Sequence, residues 1–195
     1  MLIVARHGRT AANARGLLLG RADPPLDEEG VRQADALAAA CASLDVAAVV
    51  SSPLGRCRQT AERVAAAVGV PVEVDERWIE LDYGELDGRP TSEVPAETWA
   101  AWRADLEWCP PGGESIAALG RRVRAACDDL VDVARERDVV VVSHVSPIKA
   151  AVAWALGVAD DVAWRMWVAP GSVSRIGFNG RTPSLRAFND LAHLA

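Results

Sequence analysis

Two histidines and two arginines fall where short apolar runs give way to polar residues. Leu2-Ile-Val-Ala5 runs into Arg6-His7-Gly8, Val46 to Val50 leads through Ser51-Ser52-Pro53 to Arg56, and Val139-Val-Val-Val142 ends in Ser143-His144. Each run is short and lacks polar alternation, the pattern of a strand buried on both faces in a parallel sheet covered by helices. In open sheets of that kind, ligands bind beyond the carboxyl ends of the strands. Two of the chain's three histidines lie at such ends, a placement hard to attribute to packing. Cations converging on a histidine suit phosphoryl chemistry. The transferring group spreads negative charge over its equatorial oxygens, and catalysis there is mostly positioning plus electrostatic stabilisation. Arginine's planar fork matches those oxygens better than a point charge does. A neutral imidazole is a competent nucleophile at phosphorus, and a second side chain must then protonate the departing alkoxide.

The elements that must position these groups follow from periodicity and punctuation. Ala11 to Leu26, with Asn13, Gly16, Gly20 and Pro24-Pro25, is expected as a loop. Asp27 caps a helix reaching about Ser43, with Val31, Ala34, Leu37 and Cys41 at helical spacing. Pro53 opens a second helix running to about Val68, which puts Arg56 in its first turn, where backbone N–H groups attract anions. Val72 to Val74 is a third strand. Residues 89–113 read as an insertion or lid over the carboxyl edge, around a short helix near Ala96 to Leu106. Trp99 and Trp102 are expected in the packing of that insertion, and Tyr83 is left unassigned. Ser115 caps a long helix, and another spans about Pro147 to Leu156, closed by Gly157. The remainder is expected as short edge strands at Met166 to Ala169, Val173 to Phe178 and Leu185 to Phe188, with a turn at Asn179-Gly180.

At 195 residues the chain suits one domain with a sizeable core, so a single unit over 1–195 is expected. A net charge of −6 argues against a nucleic-acid surface or a polybasic membrane patch, while leaving room for a local basic pocket. Lys149 is the only lysine. Cys41, Cys57, Cys109 and Cys127 are scattered, and no His or Cys cluster has metal-ligand spacing, so neither metal nor cofactor is expected. The first apolar run is too short for a signal peptide and no stretch approaches a membrane span, which makes a reducing cytoplasm the expected compartment. Either a monomer or a homodimer is compatible with the sequence.

Arg6-His7-Gly8-Arg9-Thr10 with Asn13, Ser51-x-x-Leu54-x-Arg56-x-x-Gln59-Thr60-Ala61, Glu80-x-x-x-Gly84 and Ser143-His144 occur in this order. Gly20-x-x-Asp23-x-Pro25-Leu26 and Pro111-Gly-Gly-Glu114-Ser115 accompany them, as does the closing Asn189-Asp190-x-x-His193-Leu194. Together they resemble the histidine phosphatase superfamily, also called the phosphoglycerate mutase-like family, over nearly the whole chain. The resemblance implies an α/β fold, a three-layer α/β/α sandwich with a mostly parallel central sheet. It also implies that His7 is a nucleophile forming a phosphohistidine, and that Arg6, Arg56 and His144 hold the phosphoryl group with a further hydrogen bond from Asn13. Glu80 would be the proton donor. Val145, Arg9, Gly20 and Arg21 complete the expected substrate and phosphate contacts.

The chain departs from the common pattern in two places. Position 9, often Glu or Gln in such proteins, is Arg9, which could favour a substrate with a second anionic group. Ser143-His144-Val145-Ser146-Pro147 replaces a frequent Ser-His-Gly-Gly. That variant is similar to α-ribazole phosphatases and to the phosphatase half of actinobacterial ribonuclease H–acid phosphatase fusions. The expected function is a metal-independent phosphomonoester hydrolase acting on a small phosphorylated metabolite. The alternatives are a bisphosphoglycerate-dependent phosphoglycerate mutase and, in another class, a non-catalytic binder of phosphorylated ligands.

Overall fold

The computed structural model describes residues Met1–Ala195. Six strands form one sheet in the order β3-β2-β4-β1-β5-β6: β1 Leu2–Arg6, β2 Val46–Ser51, β3 Val72–Val74, β4 Asp138–Ser143, β5 Val173–Asn179 and β6 Thr182–Asp190. The first four are parallel; β5 runs antiparallel to β1, and β6 antiparallel to β5. The helices are α1 Ala11–Ala14, α2 Glu28–Cys41, α3 Gly55–Val68, α4 Ala96–Ala104, α5 Ile116–Glu136 and α6 Val145–Leu156. Helices α2 and α3 cover one face of the sheet and α5 and α6 the other, giving the three-layer sandwich. No helix is long and apolar enough to cross a membrane.

The unbroken apolar runs of β1 and β4 have a direct cause in this layering. Ile3, Ala5, Val140 and Val142 pack on Leu37, Cys41, Cys57 and Val64, while Leu2, Val4, Val139 and Val141 pack on Leu119, Val123 and Ile148. Successive strand side chains point to opposite faces, so a strand covered on both sides has no polar position.

Four expectations are corrected. The segment after Thr10 opens with one helical turn, because the Thr10 side chain accepts the Asn13 N–H and the Asn13 side chain returns a bond to the Thr10 N–H. Helix α6 starts at Val145, two residues before Pro147, since a proline in the first turn removes an N–H that has no helical partner anyway. Met166–Ala169 is not a strand: it follows a 3₁₀ segment, Asp160–Arg165, as irregular chain. Finally, β5 is not an edge strand but pairs with both β1 and β6.

Candidate active site

Register decides which side chains meet. Strands β1 and β4 are adjacent and parallel with Arg6 opposite Ser143, and the His7 N–H continues the ladder to the Ser143 carbonyl at 3.0 Å. His7 and His144 are therefore the first residues past two neighbouring strand ends, and their rings meet edge to face with centroids 5.1 Å apart. Strand β2 pairs with β4 on its other side with Ser51 opposite Val142, and Ser52 donates its N–H to the Val142 carbonyl at 3.0 Å. That brings the Ser52 hydroxyl to 2.7 Å from His144 Nε2. Gly8 permits the turn after His7 to lie against α2: a Cβ there would stand 2.2 Å from the Gly30 carbonyl oxygen.

The hydrogen bonds fix the state of His7. Its Nδ1 lies 2.7 Å from the Gly8 carbonyl, which can only accept, so Nδ1 carries the proton and Nε2 presents a lone pair. Arg56 Nε lies 3.3 Å from that Nε2. Burial, then the Arg56 and Arg6 charges, holds the His7 pKa well below the ordinary histidine value. His144 is lowered likewise by burial, followed by Arg56, His7 and Arg6. Both rings are neutral at neutral pH, packed against two guanidinium groups.

Those guanidiniums are held by backbone carbonyls. Arg56 is fully buried and donates to the Gly20 carbonyl at 2.9 Å and the Ala22 carbonyl at 2.8 Å. Arg6 donates to the Val168 carbonyl at 2.7 Å, while its Nε is buried with no partner. Burial lowers the Arg6 pKa to about 10, leaving it charged. Buried cationic donors that lack a partner are costly, and an oxyanion would satisfy them.

Glu80 approaches from the turn after β3. It is 3 % exposed, and its Oε1 accepts the Leu81 N–H at 2.7 Å and the Ser146 N–H at 3.2 Å. Ser146 lies in the first turn of α6, so backbone N–H groups at that helix N-terminus hold the Glu80 carboxyl group in place. Gly84 lets this segment turn with φ +51° against residues 111–113, where a Cβ would meet the Pro111 carbonyl at 2.2 Å. Arg6, His7, Asn13, Glu80 and Val145 share the wall of a cavity of about 350 Å³. Asn13 Oδ1 is occupied by Thr10, which leaves its amide N–H₂ to face a ligand. This set can bind an oxyanion, offer an unprotonated nitrogen to it, and supply a carboxyl group on the same cavity.

Other residues singled out from the sequence lie elsewhere. Arg9 is outside the cavity wall, its Nε bound to Asp27 at 2.8 Å, so the second cation expected there is committed to the α2 cap. Arg21 stands 3.7 Å from both Asp82 and Glu114 and is likewise outside the wall. Gly20 contributes through its carbonyl to Arg56. Three residues to which the sequence reading gave no role belong to the surroundings. Lys149 and Tyr83 line the cavity, and Asp87 accepts the N–H groups of Gly20, Arg21 and Ala22 at 2.8–2.9 Å. No group of three or more His, Cys, Asp or Glu gathers as a metal ligand set.

A model of the histidine phosphatase superfamily (branch 1) matches residues 2–191. A bifunctional protein of Mycobacterium tuberculosis is 36% identical over 99% of this chain and 54% of its own length, so the chain spans about half of that relative. A probable phosphoglycerate mutase of Yersinia enterocolitica is 33% identical over 91% of this chain and 84% of its own. Among solved structures, the alpha-ribazole phosphatase of Shigella flexneri superposes with a TM-score of 0.83 at 29% identity, covering 97% of this chain and 96% of the other.

Proposed function

The chain belongs to the histidine phosphatase superfamily, and from that premise we propose that it is a phosphomonoester hydrolase working through a phosphohistidine on a small phosphorylated metabolite. The observation that carries this reading is the His7 ring: Nδ1 is tied to the Gly8 carbonyl and Nε2 is unprotonated between buried arginines. In the proposed reaction the Nε2 lone pair attacks phosphorus and the ester P–O bond breaks. Arg6 and Arg56 balance the charge on the equatorial oxygens, and the neutral His144 and Asn13 help to hold the group. The leaving alkoxide takes a proton from the Glu80 carboxyl group. Glu80, now a carboxylate, accepts a proton from water as that water attacks the phosphohistidine, the N–P bond breaks, and inorganic phosphate leaves. Each step uses groups that share the cavity or adjoin it.

The second reading is a mutase, which the Yersinia relative's name brings forward. It uses the same histidine but returns the phosphoryl group to a second hydroxyl. Purified protein supplied with 3-phosphoglycerate, a bisphosphoglycerate primer and a panel of phosphomonoesters separates the two. Phosphate release outrunning isomerisation is the expected result, and isomerisation outrunning release would overturn the choice. In the same assay His7→Ala should abolish both turnover and the acid-labile phosphoenzyme; a His7→Ala protein that still turned over appreciably would remove His7 as the nucleophile.

A further inference from the structure

A second cavity of about 310 Å³ adjoins the first; its wall is mostly apolar and includes Trp99, Trp102, Trp164 and Trp167. The two cavities share Leu18, Tyr83, Thr91, Val145, Lys149 and Trp167, so they are compartments of one space with Lys149 and Trp167 at the junction. Trp99 and Trp102 are stacked, with centroids 5.6 Å apart and planes at 13°, and Trp164 meets both nearly at right angles. The chamber's shape is thus set by rings that fix one another. Trp167 is 72% exposed, the most exposed large apolar side chain of the molecule, and it stands on the rim of both compartments. Its ring therefore offers an exposed aromatic face at the mouth of the space, able to cover an apolar part of a ligand bound there.

Charge is sparse in the chamber. Asp160 is paired with Arg124 at 2.7 Å, leaving the Lys149 ammonium as the charged group without an ion pair. Burial lowers its pKa, with Glu80 opposing. A phosphoryl group held at Arg6 and His7 therefore has a polar junction next to it and an aromatic compartment beyond.

We propose that the Trp99–Trp102–Trp164–Trp167 chamber binds the leaving-group half of the substrate, and that this half is an alcohol carrying a flat apolar ring. Lys149 lies where the link between ring and phosphate passes, and takes a hydroxyl or carboxylate on that link. The chamber excludes a compact polyanion as preferred substrate, because such a ligand would leave the tryptophan walls unfilled. The proposal rests on the hydrolase reading only for the position of the phosphoryl group.

The test compares 2-naphthylmethyl phosphate with ethyl phosphate, two alkyl esters whose leaving alcohols have similar acidity. The expected kcat/KM ratio favours the naphthyl ester by about tenfold or more. Trp167→Ala, at an exposed site that folding does not need, should bring the ratio close to one through KM. Ala163→Trp, which fills the chamber from its wall, should do the same. Equal kcat/KM for the two esters, or a ratio unchanged in Trp167→Ala, overturns the proposal. If neither ester is hydrolysed, the hydrolase reading fails and binding decides the chamber. Quenching of tryptophan fluorescence by 2-naphthylmethyl phosphate but not by ethyl phosphate upholds it, and absence of quenching overturns it.

Discussion

His7 can attack phosphorus only while its ring is uncharged, and the site spends folding free energy to keep it so. Burial, Arg56 and Arg6 all oppose a proton on His7, and His144 sits under the same three influences. The consequence for stability has a definite sign. Unfolded histidine titrates near about pH 6.5. Above that pH neither state binds the proton and the two rings contribute no penalty. Below it the unfolded chain takes up protons that the folded chain refuses, so stability falls as pH drops from about 6.5 towards the lowered native values. The limiting slope is about 1.4 kcal/mol per pH unit for each such histidine. Urea unfolding at pH 7.5, 6.5 and 5.5 should show little change over the first interval and a marked loss over the second. His144→Asn should reduce that loss, and a slope identical to that of the parent protein would mean that His144 is charged in the folded state.

The elements matter through the loops that join them, and the loop after α1 illustrates this. Its Gly20 and Ala22 carbonyls receive Arg56, while its Gly20, Arg21 and Ala22 N–H groups are all taken by the Asp87 carboxylate. Asp87 is therefore a positioning residue for Arg56, acting through a loop and touching no ligand. Asp87→Ala should lower kcat/KM on the order of tenfold to a hundredfold, the scale of an ångström-level misplacement. Asp87→Asn, which keeps one acceptor oxygen, should recover part of it at an unchanged urea midpoint; full activity in Asp87→Ala would show the loop is held without it. The same contrast explains what could be read from the chain. His7, Arg56 and His144 were legible because each follows an apolar run that could only be a buried strand, and neighbouring strand ends must meet. Asp87 was not, since its partners lie more than sixty residues away and nothing local marks it. Met166–Ala169 is a short apolar run like a strand, yet the Val168 carbonyl accepts from Arg6 instead of joining a ladder. The turn Ala11–Ala14 is too short to show helical periodicity. Arg9 looked like a pocket cation because it adjoins His7 in sequence, but its α2 neighbour Asp27 claims it.

At the scale of the whole molecule the sheet divides the interior into two unequal cores, and the larger one reaches beyond the sandwich. The core on the α2–α3 side ends at the helices. The other runs from Leu2, Val4 and Val141 through Leu119 and Ile148 to Trp78, Leu86, Val94 and Trp102 without a break. The segment over residues 89–113, read from its prolines as an insertion or lid, is thereby anchored in the main core by Val94 and Trp102, which are 6% and 1% exposed. A segment with a tryptophan and a valine buried in the main core should not open as an independent flap. Trp102→Ala is then expected to lower the global unfolding free energy by about 3–5 kcal/mol, the cost of deleting a buried tryptophan. Unfolding followed by far-UV circular dichroism and by the remaining tryptophans' fluorescence should move together to lower urea, as one cooperative unit. A separately hinged lid gives the opposite pattern: an unchanged dichroism midpoint with new protease cleavage confined to 89–113. The choice bears on function, because the same tryptophan forms one wall of the aromatic chamber. If 89–113 unfolds only with the rest, the chamber is preformed, and its selectivity is set by the fold before any substrate arrives.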